Sequence, residues 1–344
     1  MADALLSPEV GGIMTVVSAI ATGYAVKKIS VDGPDEKKIP MMGIMGAFVF
    51  AGQMINFTIP GTGSSGHIGG GILLAALLGP CPALIVLASV LLIQCLFFAD
   101  GGLLAYGCNV FNMGVCASLA WQYIYRPIAQ RGLNRKNIFI ASVASVVAGL
   151  QLGAFFVVLE TLLSGITELP FKSFLLLMQP IHLAIGLGEG IATAAVLCFV
   201  QSARPELLES VLQKTKVAGT VSMKRLVVTF LLLTVLVGGG LSLFASAYPD
   251  GLEWSMEGVA GTSELERGGA VHGTLSDVVK TTAFMPDYSF AGDEEGSSLG
   301  TATAGIVGSG VTLALAGGIG LALGVAGKRR RKTGENGQKP AAAH

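Results

Sequence analysis

One histidine sits where its chemistry is exposed to view. His67 lies inside Gly61-Thr62-Gly63-Ser64-Ser65-Gly66-His67-Ile68-Gly69-Gly70-Gly71. Imidazole is the commonest neutral ligand for nickel, copper, cobalt and zinc. A glycine-rich backbone enters a hydrocarbon layer only where protein or water covers it. Two readings therefore stand: an inward-folding loop that holds an ion, or a flexible loop with a solvated imidazole. Asn109 and Asn112, in Gly107-Cys108-Asn109-Val110-Phe111-Asn112-Met113-Gly114, are spaced i, i+3 and share one helix face. Against lipid two amides would be costly, so they turn inward, either to hold a ligand-bearing loop or to join helices. Met113 reads as packing. His182 follows Pro180, and Glu189 lies two helical turns further along the same face. Gly186, Gly188 and Gly190 permit close backbone approach there. His182 and Glu189 form either a polar track or ordinary interhelical hydrogen bonds. His272 and His344 read as solvated.

Absences narrow the function. No G-x-x-x-x-G-K-[ST] occurs, so ATP hydrolysis by a P-loop is excluded. Glu160 and Glu189 are the only acidic residues well inside apolar runs, too few for a membrane-spanning carboxylate relay. Transport by this chain would thus need an external energy source. The five cysteines are odd in number and contain no CxxC, which argues against a disulfide framework or zinc site. Formal charge is zero, with 22 basic and 22 acidic residues, so no field attracts nucleic acid.

The elements that must position these residues are membrane helices. Of the 344 residues 52% are hydrophobic and 13% charged, and 48 are glycine. That composition predicts an all-α, polytopic membrane protein whose helices pack through small residues. Spans of about 20 residues fall near 9–26, 41–57, 103–125, 137–163, 174–201, 224–247 and 303–327. Basic clusters at Lys27–Lys38, Arg126–Lys136, Arg204–Arg225 and Lys328–Lys332 are placed in the cytoplasm by the positive-inside rule. The run 71–98 must then cross an even number of times. Two short helices broken at Pro80-Cys81-Pro82, or a re-entrant pair, satisfy this parity. The N-terminus falls outside, on the face of the His67 loop, and the C-terminus in the cytoplasm.

The chain divides accordingly. Residues 1–203 form a seven-helix core, 204–223 a polar cytoplasmic linker, and 224–327 a two-helix hairpin whose outer loop, 248–302, is acidic. Residues 328–344 form a basic, disordered tail. In the first helix, Ala19 and Gly23 stand four apart on a small-residue face suited to internal packing or to a partner subunit.

Met1-Ala2-Asp3-Ala4-Leu5-Leu6-Ser7-Pro8, Ser65-Gly66-His67 and Asn109-Val110-Phe111-Asn112-Met113-Gly114 together resemble the CbiM/NikM family. Its members are the substrate-capture (S) components of energy-coupling-factor (ECF) importers for cobalt and nickel. Pro249-Asp250-Gly251-Leu252-Glu253-Trp254 and Phe284-Met285-Pro286-Asp287-Tyr288 are similar to the PDGLE domain of the companion subunit, CbiN/NikN, here fused. The resemblance covers nearly the whole chain. The asparagine box and the PDGLEW hexapeptide are its specific parts.

This resemblance implies a seven-helix S-component core and a transition ion near the outer surface. The implied ligands are four nitrogens in a near-square plane: the terminal amine, a backbone amide, a histidine directly after the initiator methionine, and the loop histidine. Such a set suits nickel(II) or copper(II). His67 matches the loop histidine and Met1 the amine, with Ser65, Asn109 and Asn112 in support. Residue 2 is alanine here, and no histidine precedes His67. That departure puts one imidazole and its amide in doubt, and leads to the expectation that a Met-His pair precedes this start. The implied function is the ion-binding subunit of an ATP-driven nickel(II) importer in the plasma membrane. Cobalt(II) import for cobalamin synthesis is the alternative. A transmembrane coupling (T) subunit and two ATPase (A) subunits would be the partners. No organic cofactor and no enzymatic activity are expected. A membrane scaffold, or a secondary carrier using Glu189 and His182, are the rivals from other classes.

Overall fold

Long apolar runs with few charges can satisfy their backbone in lipid only as helices, and the computed structural model of the 344-residue chain is built almost wholly of them. It describes all residues except 33–34, 218–221, 264, 266–268, 291–296 and 338–344, with side chains omitted for 328–337. The core contains α1 (Pro8–Asp32), α2 (Lys38–Gln53), α3 (Gly71–Leu78), α4 (Pro80–Phe98), α5 (106–129), α6 (Arg135–Ser164) and α7 (Phe171–Ala203). A short α8 (Pro205–Leu212) leads to α9 (Lys224–Gly239). The loop helices α10 (Gly251–Ala260) and α11 (Ala270–Thr282) follow, and α12 (Ser298–Gly337) ends the described chain. Six helices among the described residues are long and apolar enough to cross a membrane: those within 8–32, 80–98, 135–164, 171–203, 224–244 and 298–327.

The other three core helices are short or irregular. α2 has 16 residues, about 24 Å at 1.5 Å per residue, and is buried along nearly its whole length. α5 contains two widened turns, Val110–Val115 and Trp121–Tyr125, the first carrying Asn112. The run 71–98 breaks at Gly79, whose φ of 94° and ψ of 159° suit glycine, and Pro80 opens α4. All eight residues of α3 are buried. Its far end faces Val211 of α8. The hairpin segment leads into α3, and α4 follows directly after the break at Gly79.

Small residues set the helix contacts. A Cβ added to Gly305 of α12 would stand 2.5 Å from the Gly238 carbonyl of α9, so both glycines are needed for this crossing. Outward faces are apolar: Ile13, Val16, Ile20 and Tyr24 on α1, and Leu176, Leu183, Leu187 and Ile191 on α7, are all exposed, as lipid-facing stripes should be.

Four expectations change. The start of the glycine-rich stretch pairs with the segment before it in an antiparallel hairpin, β1 (Phe57–Ile59) with β2 (Ser64–Gly66), in register Phe57↔Gly66. The linker contains α8, whose Leu207, Leu208 and Val211 are buried, because that amphipathic turn covers the ends of α3 and α7. The 248–302 segment holds α10 and α11. The acidic residues Glu264, Glu266, Asp293, Glu294 and Glu295 of that segment lie outside the described residues. The last helix continues to Gly337 through part of the basic segment, since Lys and Arg are good helix formers. Residues 338–344, with His344, lie outside the described residues.

Candidate metal centre

The N-terminal segment is anchored at several points. Leu5 and Leu6 are fully buried. Asp3 accepts the Ala105 N–H at 2.7 Å, and its own N–H donates to the Gly101 carbonyl at 2.8 Å. Burial pushes the Asp3 carboxyl up, and the Ala105 N–H partly offsets this. Asn109 Nδ2 donates to the Met1 carbonyl at 3.1 Å. The chain start is thereby held over the bundle by α5. His272, expected in solvent, instead has Nε2 at 3.0 Å from the Leu6 carbonyl and is half-buried. α11 docks on the N-terminal segment and removes the imidazole from water.

The His67 loop is held from both sides. Above, the Ser65 N–H donates to the Pro249 carbonyl and Ser65 Oγ to the Tyr248 carbonyl, each at 2.8 Å. The Trp254 indole donates to the Thr62 carbonyl at 2.9 Å. Asp250 caps α10 by accepting from Leu252 and Glu253 N–H, and Glu253 reciprocates at the Asp250 N–H, completing a capping box. Below, Gln53 Nε2 donates to the Gly69 carbonyl at 3.1 Å, and Gln94 Nε2 to Gln53 Oε1 at 2.9 Å. Gly70, at φ 76°, donates its N–H to Glu189 Oε1 at 2.8 Å.

These attachments converge on one cavity of about 140 Å³. Met1, His67, Asn109, Asn112, His182 and Glu189 all line it, and Asp250 and Gly251 close its mouth. His67 Nδ1 is buried and has no hydrogen-bond partner. His182 Nδ1 lies 2.8 Å from the Met178 carbonyl. A carbonyl only accepts, so that nitrogen carries the proton and Nε2 keeps its lone pair. Asn112 Nδ2 donates to Glu160 Oε2 at 2.8 Å, leaving Asn112 Oδ1 and Glu160 Oε1 unpartnered. Among the described residues no three His, Cys, Asp or Glu side chains form a metal cage. His67, His182, Glu189 and Asp250 are the histidine and acidic side chains among the residues that line the cavity.

The sequence-predicted residues thus come together more closely than their spacing indicated. His67 and Met1 share a cavity with His182 and Glu189. Asn109 holds the chain start rather than the loop, and Asn112 holds Glu160. Ser65 ties the loop to the 248–260 segment. Met113 lines the cavity as well. Ala19 and Gly23 face outward, and a Cβ on Gly23 would meet nothing within 4 Å. The internal face of α1 is instead made by Gly11, Ser18 and Ala25, and Ser18 Oγ donates to the Gly107 carbonyl at 2.6 Å. Sequence reasoning missed Asp250 and Gly251 as cavity wall. The Asp250/Glu253 capping-box spacing was the available signal.

Comparison with known proteins agrees with this architecture. The family model described as cobalt uptake substrate-specific transmembrane region (CbiM) matches residues 1–207, and the PDGLE domain matches 224–324. A protein of Archaeoglobus fulgidus bearing the name of a fused nickel transport protein, NikMN, is 32% identical over 313 residues, 91% of this chain and 95% of its own. The cobalt transport protein CbiM of Sorangium cellulosum is 32% identical over 171 residues, 49% of this chain and 76% of its own. A crystal structure of a truncated transition metal transporter superposes with a TM-score of 0.52 at 30% identity, over 59% of this chain and 98% of that one. The chain therefore belongs to the CbiM family, with a PDGLE domain following the family's transmembrane region.

Proposed function

We propose that this chain is the ion-capturing S component of an ATP-driven nickel(II) importer of the energy-coupling-factor type. The observation that carries the reading is the convergence of Met1 and the unpartnered His67 Nδ1 in one cavity beneath the 248–260 segment. Metal transport is the common theme of the relatives' names. Nickel is favoured over cobalt by the scarcity of side-chain ligands, which leaves planar nitrogen donors as the main source of coordination. Cobalt(II) is the alternative cargo, since both metals occur among the relatives' names.

Residues 1–203 capture the ion, 204–223 link, and residues 224–327 brace the loading loop through Pro249, Asp250 and Trp254. The cavity end faces outward and the basic end the cytoplasm, as the positive-inside rule requires. The sequence has no P-loop, so energy comes from two ATPase subunits through a transmembrane coupling subunit. The open Ala19/Gly23 face of α1 is the proposed contact for that subunit. The test is radioactive nickel and cobalt uptake in cells with and without the ATPase subunits. Uptake of nickel that needs the ATPases and is lost in His67→Ala supports the reading. Uptake that persists without ATPases and collapses with an uncoupler overturns it in favour of a secondary carrier.

A further inference from the structure

Glu189 is a buried carboxylate of the cavity whose bonding is incomplete. It is 3% exposed. Oε1 accepts the Gly70 N–H at 2.8 Å, whereas Oε2 is buried without a hydrogen-bond partner. The Gly69 amide lies beside the carboxylate as well and favours its charged form. A Cβ on Gly69 would stand 3.4 Å from Oε2 and 3.7 Å from the Met113 methyl, so the carboxylate and the thioether flank the same glycine. No basic side chain among the described residues pairs with Glu189: the ion pairs there are Lys28–Asp32 and Lys38–Asp35. A buried carboxylate oxygen without donor or cation is costly and calls for a partner during the working cycle.

His182 and Glu189 belong to the same helix, α7. His182, beside Gly251 at the mouth, precedes Glu189 by seven residues, about 10 Å along the axis. Glu189 sits where the loop ends and α3 begins, beside the Gly70 and Gly71 backbone; a Cβ on Gly71 would stand 2.6 Å from the Ala117 side chain. Glu189 and His67 line the same cavity, so an ion held at His67 has the carboxylate within that cavity.

We propose that Glu189 is a second, inner station for the same divalent transition-metal ion. Its Oε2 takes the ion as it leaves His67, with water and the Met113 sulfur completing a loose sphere, while Oε1 keeps hold of the Gly70 amide. A carboxylate is a weaker partner for such an ion than a planar nitrogen set, which lets the ion move on. This inference rests on the ion-capture reading above and adds the first step of inward release.

The experiment compares equilibrium 63Ni binding by the purified full-length chain with 63Ni accumulation in cells that express it with its partner subunits. Glu189→Gln keeps an oxygen for the Gly70 N–H but cannot neutralise a cation. It is expected to lower accumulation at least tenfold more than it lowers binding. Gln53→Leu loosens the loop at Gly69 without touching the carboxylate, and should lower binding and accumulation in the same proportion. Glu189→Asp, which keeps the charge at shorter reach, should recover part of the accumulation lost in E189Q. Proportional losses in E189Q, unchanged accumulation, or equal behaviour of E189Q and E189D would overturn the inner station while leaving ion capture intact. Absence of nickel binding by the wild-type chain would overturn ion capture and the station with it.

Discussion

Trp254→Phe isolates the bond by which the 248–260 segment holds the ion loop. The indole N–H donates to the Thr62 carbonyl at 2.9 Å, at the tip of the β1–β2 hairpin. Its ring packs against the buried cluster of Ile59, Ile181 and Ile185. Phenylalanine retains most of that apolar contact and removes the donor. A single hydrogen bond contributes about 1 kcal/mol net, or about fivefold in the local opening equilibrium at 25 °C. Amide hydrogen exchange reads that equilibrium residue by residue. The Ser65 N–H, which donates to Pro249 across the same junction, should exchange about fivefold faster in the variant. Amides in the middle of α6, far from the junction, should keep their wild-type rates. An unchanged Ser65 rate would refute the clasp, and equal acceleration throughout α6 would show that the effect is global rather than local.

Asn109→Ala frees the Met1 carbonyl, now held at 3.1 Å, and should weaken nickel affinity about fivefold for the loss of one hydrogen bond, measured by equilibrium titration. Gly305→Ala places a methyl 2.5 Å from the Gly238 carbonyl and should cost about 1–3 kcal/mol, seen as a lower melting temperature in detergent. Gly310→Ala on the same helix meets nothing within 4 Å and should leave melting unchanged or slightly raised. Burial, with the neighbouring Asp250 carboxylate adding to it, pushes the Glu253 carboxyl above its ordinary value. A carboxyl raised in the fold favours the folded state fully below its unfolded value, near 4.5. That contribution is lost as pH rises through the raised folded value. Acidification from neutrality should therefore stabilise α10 of the wild type more than that of Glu253→Gln, read from the pH dependence of exchange at residues 252–257.

The helical core was legible because apolar length and basic clusters are one-dimensional signals. Pro80-Cys81-Pro82 marks a place for a break in 71–98, and the helix breaks at Gly79. The site was legible in its residues but not in its grouping. His67 and Glu189 are 122 positions apart, and only the descent of the loop to Gly70 brings them to one cavity. The hairpin escaped notice because Gly61 and Gly63, which take positive φ at its turn, look like generic flexibility in a glycine-rich run. His272 was assigned to solvent because its partner is a backbone carbonyl, Leu6, which no side-chain pattern announces. Most of the 248–302 structure was likewise hidden, apart from the Asp250/Glu253 cap, since its contacts are made to distant loops rather than along its own helices.

The central claim is that the terminal amine and His67 supply nitrogen to a bound divalent ion. Nickel K-edge X-ray absorption on the loaded, purified chain tests it directly. The account predicts a shell of light donors with an imidazole scattering signature that disappears in His67→Ala, together with tight binding. A sulfur shell, or a spectrum and affinity unchanged by that substitution, would contradict it.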